Sequence, residues 1–140
     1  MGFEKFGKSG YVSQAKITPF LSYLEKGEIV ATKCRSCGES YFPPRADCLR
    51  CRQSDMEWVP IDDHARLITF TEVSFAPPTF QKETPYLLGL AELEKGFRVF
   101  APIGRDVNRK ELKPGLKLAL RPVRAGEGVY YVLEATDSLR

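Results

Sequence analysis

Four cysteines stand in two pairs, Cys34-x2-Cys37 and Cys48-x2-Cys51, with ten residues between the pairs. Each C-x-x-C places two thiolates on one tight turn, and two such turns facing each other form the tetrahedral sulfur cage that Zn²⁺ prefers. The spacing predicts one tetrathiolate metal held by Cys34, Cys37, Cys48 and Cys51, with paired disulfides as the weaker reading. Iron in a rubredoxin-like cage is the rival to zinc, because sulfur ligands alone separate the two metals poorly. Four sulfurs leave no coordination position for water or substrate, so the metal is expected to be structural.

Other groups that could do chemistry are few. The metal motif consumes every cysteine, and no nucleophile motif such as G-x-S-x-G occurs. The single histidine, His64, follows Asp62 and Asp63 in a polar stretch that reads as a solvated turn. No catalytic residue is predicted, and the chain is expected not to be an enzyme. From Gly104 to Arg124 seven basic residues (Arg105, Arg109, Lys110, Lys113, Lys117, Arg121 and Arg124) stand against Asp106 and Glu111, a surplus of five. A solvated face is the first reading of that stretch; phosphates, an acidic enzyme surface or a nucleic-acid backbone are the others.

The elements that must position these groups fall into three sections. A polar N-terminal segment to residue 17 precedes Thr18-Pro19, which reads as the start of a short helix, with Thr18 as N-cap, Pro19 at its first position and Gly27 closing it. The expected sections are 1–28 (N-terminal, helical), 29–57 (zinc ribbon) and 58–140 (barrel). The ribbon is too short to bury a core of its own and is expected to depend on its metal. Strand signals follow at Arg66 to Phe75, Tyr86 to Leu93, Phe97 to Ala101, Leu116 to Arg121 and Val129 to Leu133, with Ala125-Gly126-Glu127-Gly128 as the last turn. Five strands with a helical turn over Asn108 to Pro114, between the third and fourth, predict a mainly β protein: a five-stranded OB-fold barrel behind a rubredoxin-like zinc ribbon. An SH3-like barrel or a small sandwich fits the same strand count.

The chain has 140 residues, 43% of them hydrophobic, enough for a compact core. No run of about 18 apolar residues is present to span a bilayer, and the first residues lack a signal peptide's apolar stretch. A cytoplasmic protein is expected, without membrane contact. The formal net charge of +3 is too small to argue for nucleic acid by itself.

In its order of short helix, four-cysteine ribbon and small barrel, residues 18 to 137 resemble the zinc-ribbon/OB-fold family of acyl-CoA-associated proteins. The marks are Lys33-Cys34-Arg35-Ser36-Cys37-Gly38, Tyr41-Phe42-Pro43-Pro44-Arg45, Thr69-Phe70-Thr71, Pro85-Tyr86 and Lys113-Pro114-Gly115. Leu49 departs from the proline that often follows the third cysteine in that family. The resemblance implies a non-catalytic subunit that binds an acyl-CoA and organises a thiolase-like enzyme, in archaea together with hydroxymethylglutaryl-CoA synthase. Within that frame, the proline-stiffened aromatic segment 75–86 is the first candidate for contact with a pantetheine arm, through Phe75, Pro78, Phe80, Lys82 and Tyr86. The plainer reading has Phe75 and Tyr86 close one end of the barrel. A zinc-ribbon/OB nucleic-acid-binding module is the alternative function, although most barrel aromatics read as core.

Overall fold

The computed structural model describes residues 16–126 and 128–136. Most of the polar segment read before the helix, residues 1–15, lies outside them. Helix α1 (Pro19–Glu25) has Pro19 in its first turn, where a missing N–H costs nothing. Thr18 does not cap it in the expected way: its backbone is already helical (φ −52°, ψ −37°) and its side chain makes no capping hydrogen bond. The other end behaves as read. Gly27 has φ +83°, Gly27 N–H donates to Leu24 O at 3.0 Å and Glu28 N–H to Tyr23 O at 2.9 Å, the paired bonds of a Schellman stop.

The ribbon is a three-stranded antiparallel sheet in the order β2 (Ser40–Tyr41), β1 (Val30–Cys34), β3 (Met56–Pro60). Its third strand runs on through Pro60, with Trp58 opposite Thr32. Buried Thr32 accepts a hydrogen bond from Arg45 N–H at 2.9 Å, tying the segment between the cysteine pairs to the middle of β1.

The second sheet contains β4 (His64–Val73), β5 (Tyr86–Glu92), β6 (Arg98–Pro102), β7 (Lys117–Ala125) and β8 (Gly128–Ala135), in the order β6-β5-β4-β7-β8. A parallel bridge between Ile103 and Leu133 brings its two edges together. The first barrel strand thus pairs with the second and fourth, and the third meets the fifth in parallel, which is the connectivity of a nearly closed OB barrel. The expected helical turn between the third and fourth strands is a short 3₁₀ helix, Arg109–Glu111, whose Asn108 side chain accepts from Lys110 N–H. Strand limits differ from the sequence reading. β4 begins at His64 and ends at Val73, leaving Phe75 outside it, because the chain breaks toward Pro77 and Pro78 and a second 3₁₀ helix, Pro78–Glu83. β7 extends to Ala125, where it meets Gly128 of β8.

A single core joins all three sections. Phe20, Leu21 and Leu24 of α1, Ile29, Val30, Ala31 and Phe42 of the ribbon, and Leu67, Val99, Leu118, Leu120 and Leu133 of the barrel belong to one buried cluster. Phe42 stands at the junction, its ring 6.2 Å from Phe20, 6.5 Å from Phe97 and 6.1 Å from Tyr131. The ribbon therefore does own apolar surface, and it spends that surface on the barrel.

Candidate functional site: a sulfur cage and a groove on the barrel face

The two cysteine turns have the same local geometry. Cys34 N–H donates to Glu39 O and Gly38 N–H to Cys34 O; Cys48 N–H donates to Gln53 O and Arg52 N–H to Cys48 O. Each turn is completed at a residue with positive φ, Gly38 at +83° and Arg52 at +64°. The four sulfurs lie within 4.8 Å of one another, with Cys34–Cys51 and Cys37–Cys48 both at 3.5 Å. A tetrahedral metal with metal–sulfur bonds of about 2.3 Å needs sulfurs about 3.8 Å apart, so the cage fits one ion. All four positions would be filled by Cys34, Cys37, Cys48 and Cys51, and the ion would supply cohesion to the two turns.

Tyr41 completes this centre, a role that the cysteine spacing does not signal. Its hydroxyl receives Leu49 N–H at 3.0 Å and lies 3.4 Å from Cys48 Sγ. That hydrogen bond is the main influence pulling the Cys48 thiol down to about 6, toward the thiolate a metal requires. Removing a group that orients a metal ligand typically costs 10- to 100-fold in metal affinity. Tyr41→Phe is accordingly expected to weaken metal binding about tenfold in a chelator competition while the fold persists; unchanged retention would show that the hydroxyl only fills space.

The second feature is a groove of about 1120 Å³ along β5, β6 and β8. Phe80, Lys82 and Tyr86 from the aromatic loop line it, and so do Arg105 and Arg109 from the basic stretch. Two sequence signals some twenty residues apart thus meet at one place. Phe75 and Pro78 are not in the lining. Phe75 is 95% exposed, so it does not close the barrel end either. Tyr86 packs obliquely against Phe80, ring centroids 6.5 Å apart.

Phe100 also lines the groove and is 61% exposed, against the reading of the barrel aromatics as core. The signal was present: Phe100 shares strand parity with Arg98, while Val99 and Ala101 are the buried pair. In the groove Arg109 pairs with Glu72, while further along the basic stretch Arg121 pairs with Asp63 at 3.4 Å and Arg124 with Glu25 at 3.9 Å.

His64 opens β4 instead of lying in a turn, but it is as solvated as expected. Its Nδ1 contacts Asp62 Oδ1, a hydrogen bond that raises its pKa above the ordinary value; the His64 backbone N–H, followed by the ring, lowers that of Asp62. In this cluster Asp62 and His64 are exposed and Asp63 is half-buried, its carboxylate paired with Arg121.

Fold and cage together define a class, a rubredoxin-like zinc ribbon fused to an OB barrel. The matching family models carry the same descriptions: "ChsH2, rubredoxin-like zinc ribbon domain" over residues 22–57 and "ChsH2, C-terminal OB-fold domain" over residues 58–122. A DUF35 domain-containing scaffold protein of Pyrococcus furiosus is 32% identical over 98 residues, covering 70% of this chain and 71% of the relative. The chain belongs to this ChsH2 (DUF35) family. A scaffold protein of the same description from Methanocaldococcus jannaschii is 33% identical over 76 residues, 54% of each chain. The benzoylsuccinyl-CoA thiolase subunit BbsA of Thauera aromatica is 31% identical over 71 residues, 51% of this chain and 48% of that subunit. The match therefore spans about half the length of these last two relatives. Among solved structures, a chain of an Ltp2-ChsH2(DUF35) aldolase superposes with a TM-score of 0.75 at 19% identity, covering 89% of this chain and 98% of that one, a likeness of fold.

Proposed function

We propose that this chain is a non-catalytic scaffold subunit that associates with a thiolase-like enzyme and offers its barrel groove to an acyl-CoA. One observation carries the reading: the aromatic loop and the basic stretch converge on a single groove, through Phe80, Lys82 and Tyr86 on one side and Arg105 and Arg109 on the other. The names of the relatives support the rest, since two of those described above are scaffold proteins and one is a thiolase subunit. The metal in this reading is zinc, with a purely cohesive role. In the version that the family resemblance supplies, the thioester passes on to hydroxymethylglutaryl-CoA synthase; the cytoplasmic location expected from the sequence is kept in this reading.

The test is capture of the partner. Tagged chain purified from its native host in about 0.5 M salt, where exposed charges are screened within a few Å, should retain a thiolase-like enzyme. The chain freed of that enzyme should turn over neither acetyl-CoA nor acetoacetyl-CoA. Turnover by the isolated chain would overturn the scaffold reading. Exposed Phe100 favours the runner-up, a nucleic-acid-binding module, since stacking aromatics are what such a module needs; it predicts tight oligonucleotide binding that falls steeply with salt, with no thioester enzyme retained.

A further inference from the structure

The outer face of the second and third strands of an OB barrel is where flat rings stack, and the adjoining loops bring cations to it. In this chain those strands are β5 and β6. Phe100 stands opposite Leu90 on that face, and the next outward pair is Leu88 with Pro102. Leu88, Phe100 and Pro102 all line the groove, and the obliquely stacked rings of Phe80 and Tyr86 wall it on the side of the loop. Arg105 stands three residues beyond the end of β6. Arg109 is engaged by Glu72, whereas Arg105 and Lys82 form no ion pair among the described residues.

The two ends of a CoA thioester ask for different surroundings. The pantetheine arm is thin and uncharged, with no ring to stack and no phosphate to neutralise. The nucleotide end has an adenine ring, a diphosphate and a 3′-phosphate. An exposed aromatic face beside uncommitted cations suits the nucleotide end. Phe75 and Pro78, which would have extended an apolar wall for the arm, stand outside the lining.

We propose that the groove recognises a phosphorylated adenine nucleotide, the nucleotide end of a CoA thioester, with the base against Phe100 and the phosphates at Arg105 and Lys82. The ligand's identity as a CoA thioester rests on the function proposed above. The arrangement leaves the acyl end to the partner enzyme, in keeping with a sequence that carries no G-x-S-x-G nucleophile motif.

The experiment is a titration of the full metal-bearing chain with adenosine 3′,5′-bisphosphate, CoA and pantetheine. The bisphosphate and CoA should bind within about threefold of each other and pantetheine at least about tenfold more weakly, given the usual strength of stacking and charge-assisted contacts. Phe100→Ala and Arg105→Ala should each weaken the bisphosphate about tenfold, Phe100→Trp should restore it, and Arg105→Ala should flatten the salt dependence. Both side chains are exposed, so the variants keep the fold. The proposal is overturned by pantetheine binding as tightly as CoA, by indifference to both alanine variants, or by absence of nucleotide binding. An oligoadenylate that binds more tightly as it lengthens would overturn it in favour of nucleic acid. If the enzyme is captured but no nucleotide binds, this inference fails and the scaffold reading stands; if nucleotide binds but no enzyme is captured, the scaffold reading fails.

Discussion

Cys48→Ser is expected to abolish stoichiometric metal binding and to lower the stability of the whole chain, not of the ribbon alone. Structural zinc is worth about 10–16 kcal/mol in small finger peptides, comparable to the entire stability of about 5–15 kcal/mol of a typical domain. Cys48 is buried, and a serine there would lose the metal bond and the partner of Tyr41. Were the ribbon an independent unit, the damage would stop at its edge. Here it does not, because Ile29, Val30, Ala31 and Phe42 share a core with the barrel strands. Loosening the ribbon exposes the packing around Phe97 and Tyr131, so the barrel melts at lower denaturant as well. Elemental analysis should find about one zinc or iron per wild-type chain, identify which it is, and show its loss in the variant. Urea unfolding followed by tyrosine fluorescence and by metal release should shift together. A variant with a full metal complement and a wild-type midpoint would refute both the ligand assignment and the coupling.

The four-sulfur cluster was legible in the sequence because it depends on local geometry: a C-x-x-C turn fixes its own sulfurs, with Gly38 and Arg52 completing the two turns. The barrel was legible because outward and inward residues alternate along each strand and the turns fall where glycine permits them, as at Gly126 with φ +62°. What escaped were features that depend on tertiary placement. Tyr41 reaches Cys48 across seven residues of chain through a fold that no spacing rule encodes. Phe42, the next residue along, reads only as one more apolar residue until α1 and β8 are brought against it. The aromatic loop was found, but not which of its residues face the groove; Phe80, Lys82 and Tyr86 do, and Phe75 points to solvent because β4 ends before it. Along the sequence the basic stretch forms one feature. The strands and turn divide it, leaving Arg105 and Arg109 at the groove and tying Arg121 and Arg124 to carboxylates elsewhere.

Phe42→Ala should cost about 3–5 kcal/mol, the usual range for removing a buried phenylalanine, while leaving the metal in place. The ring is 8% exposed and meets Phe20 edge-on, with Phe97 and Tyr131 tilted against it, so three elements lose a partner at once. Those neighbours belong to α1 and to opposite margins of the barrel, and they cannot all collapse into the gap without moving strands. The four cysteines and Tyr41 are untouched, and metal content should stay at the wild-type value. Stability and metal binding therefore part company in this variant, unlike in Cys48→Ser. Phe42→Leu, which keeps most of the volume, should recover the larger part of the loss, because volume-conserving exchanges usually cost less than about 1.5 kcal/mol. Urea unfolding monitored by the fluorescence of Trp58, the chain's one tryptophan, gives the size of the effect. A loss below about 1 kcal/mol would mean that the site relaxes freely, well short of the cost of a lasting cavity. In that case the ribbon would rest on the barrel without being keyed into it, and the metal alone would hold it in shape.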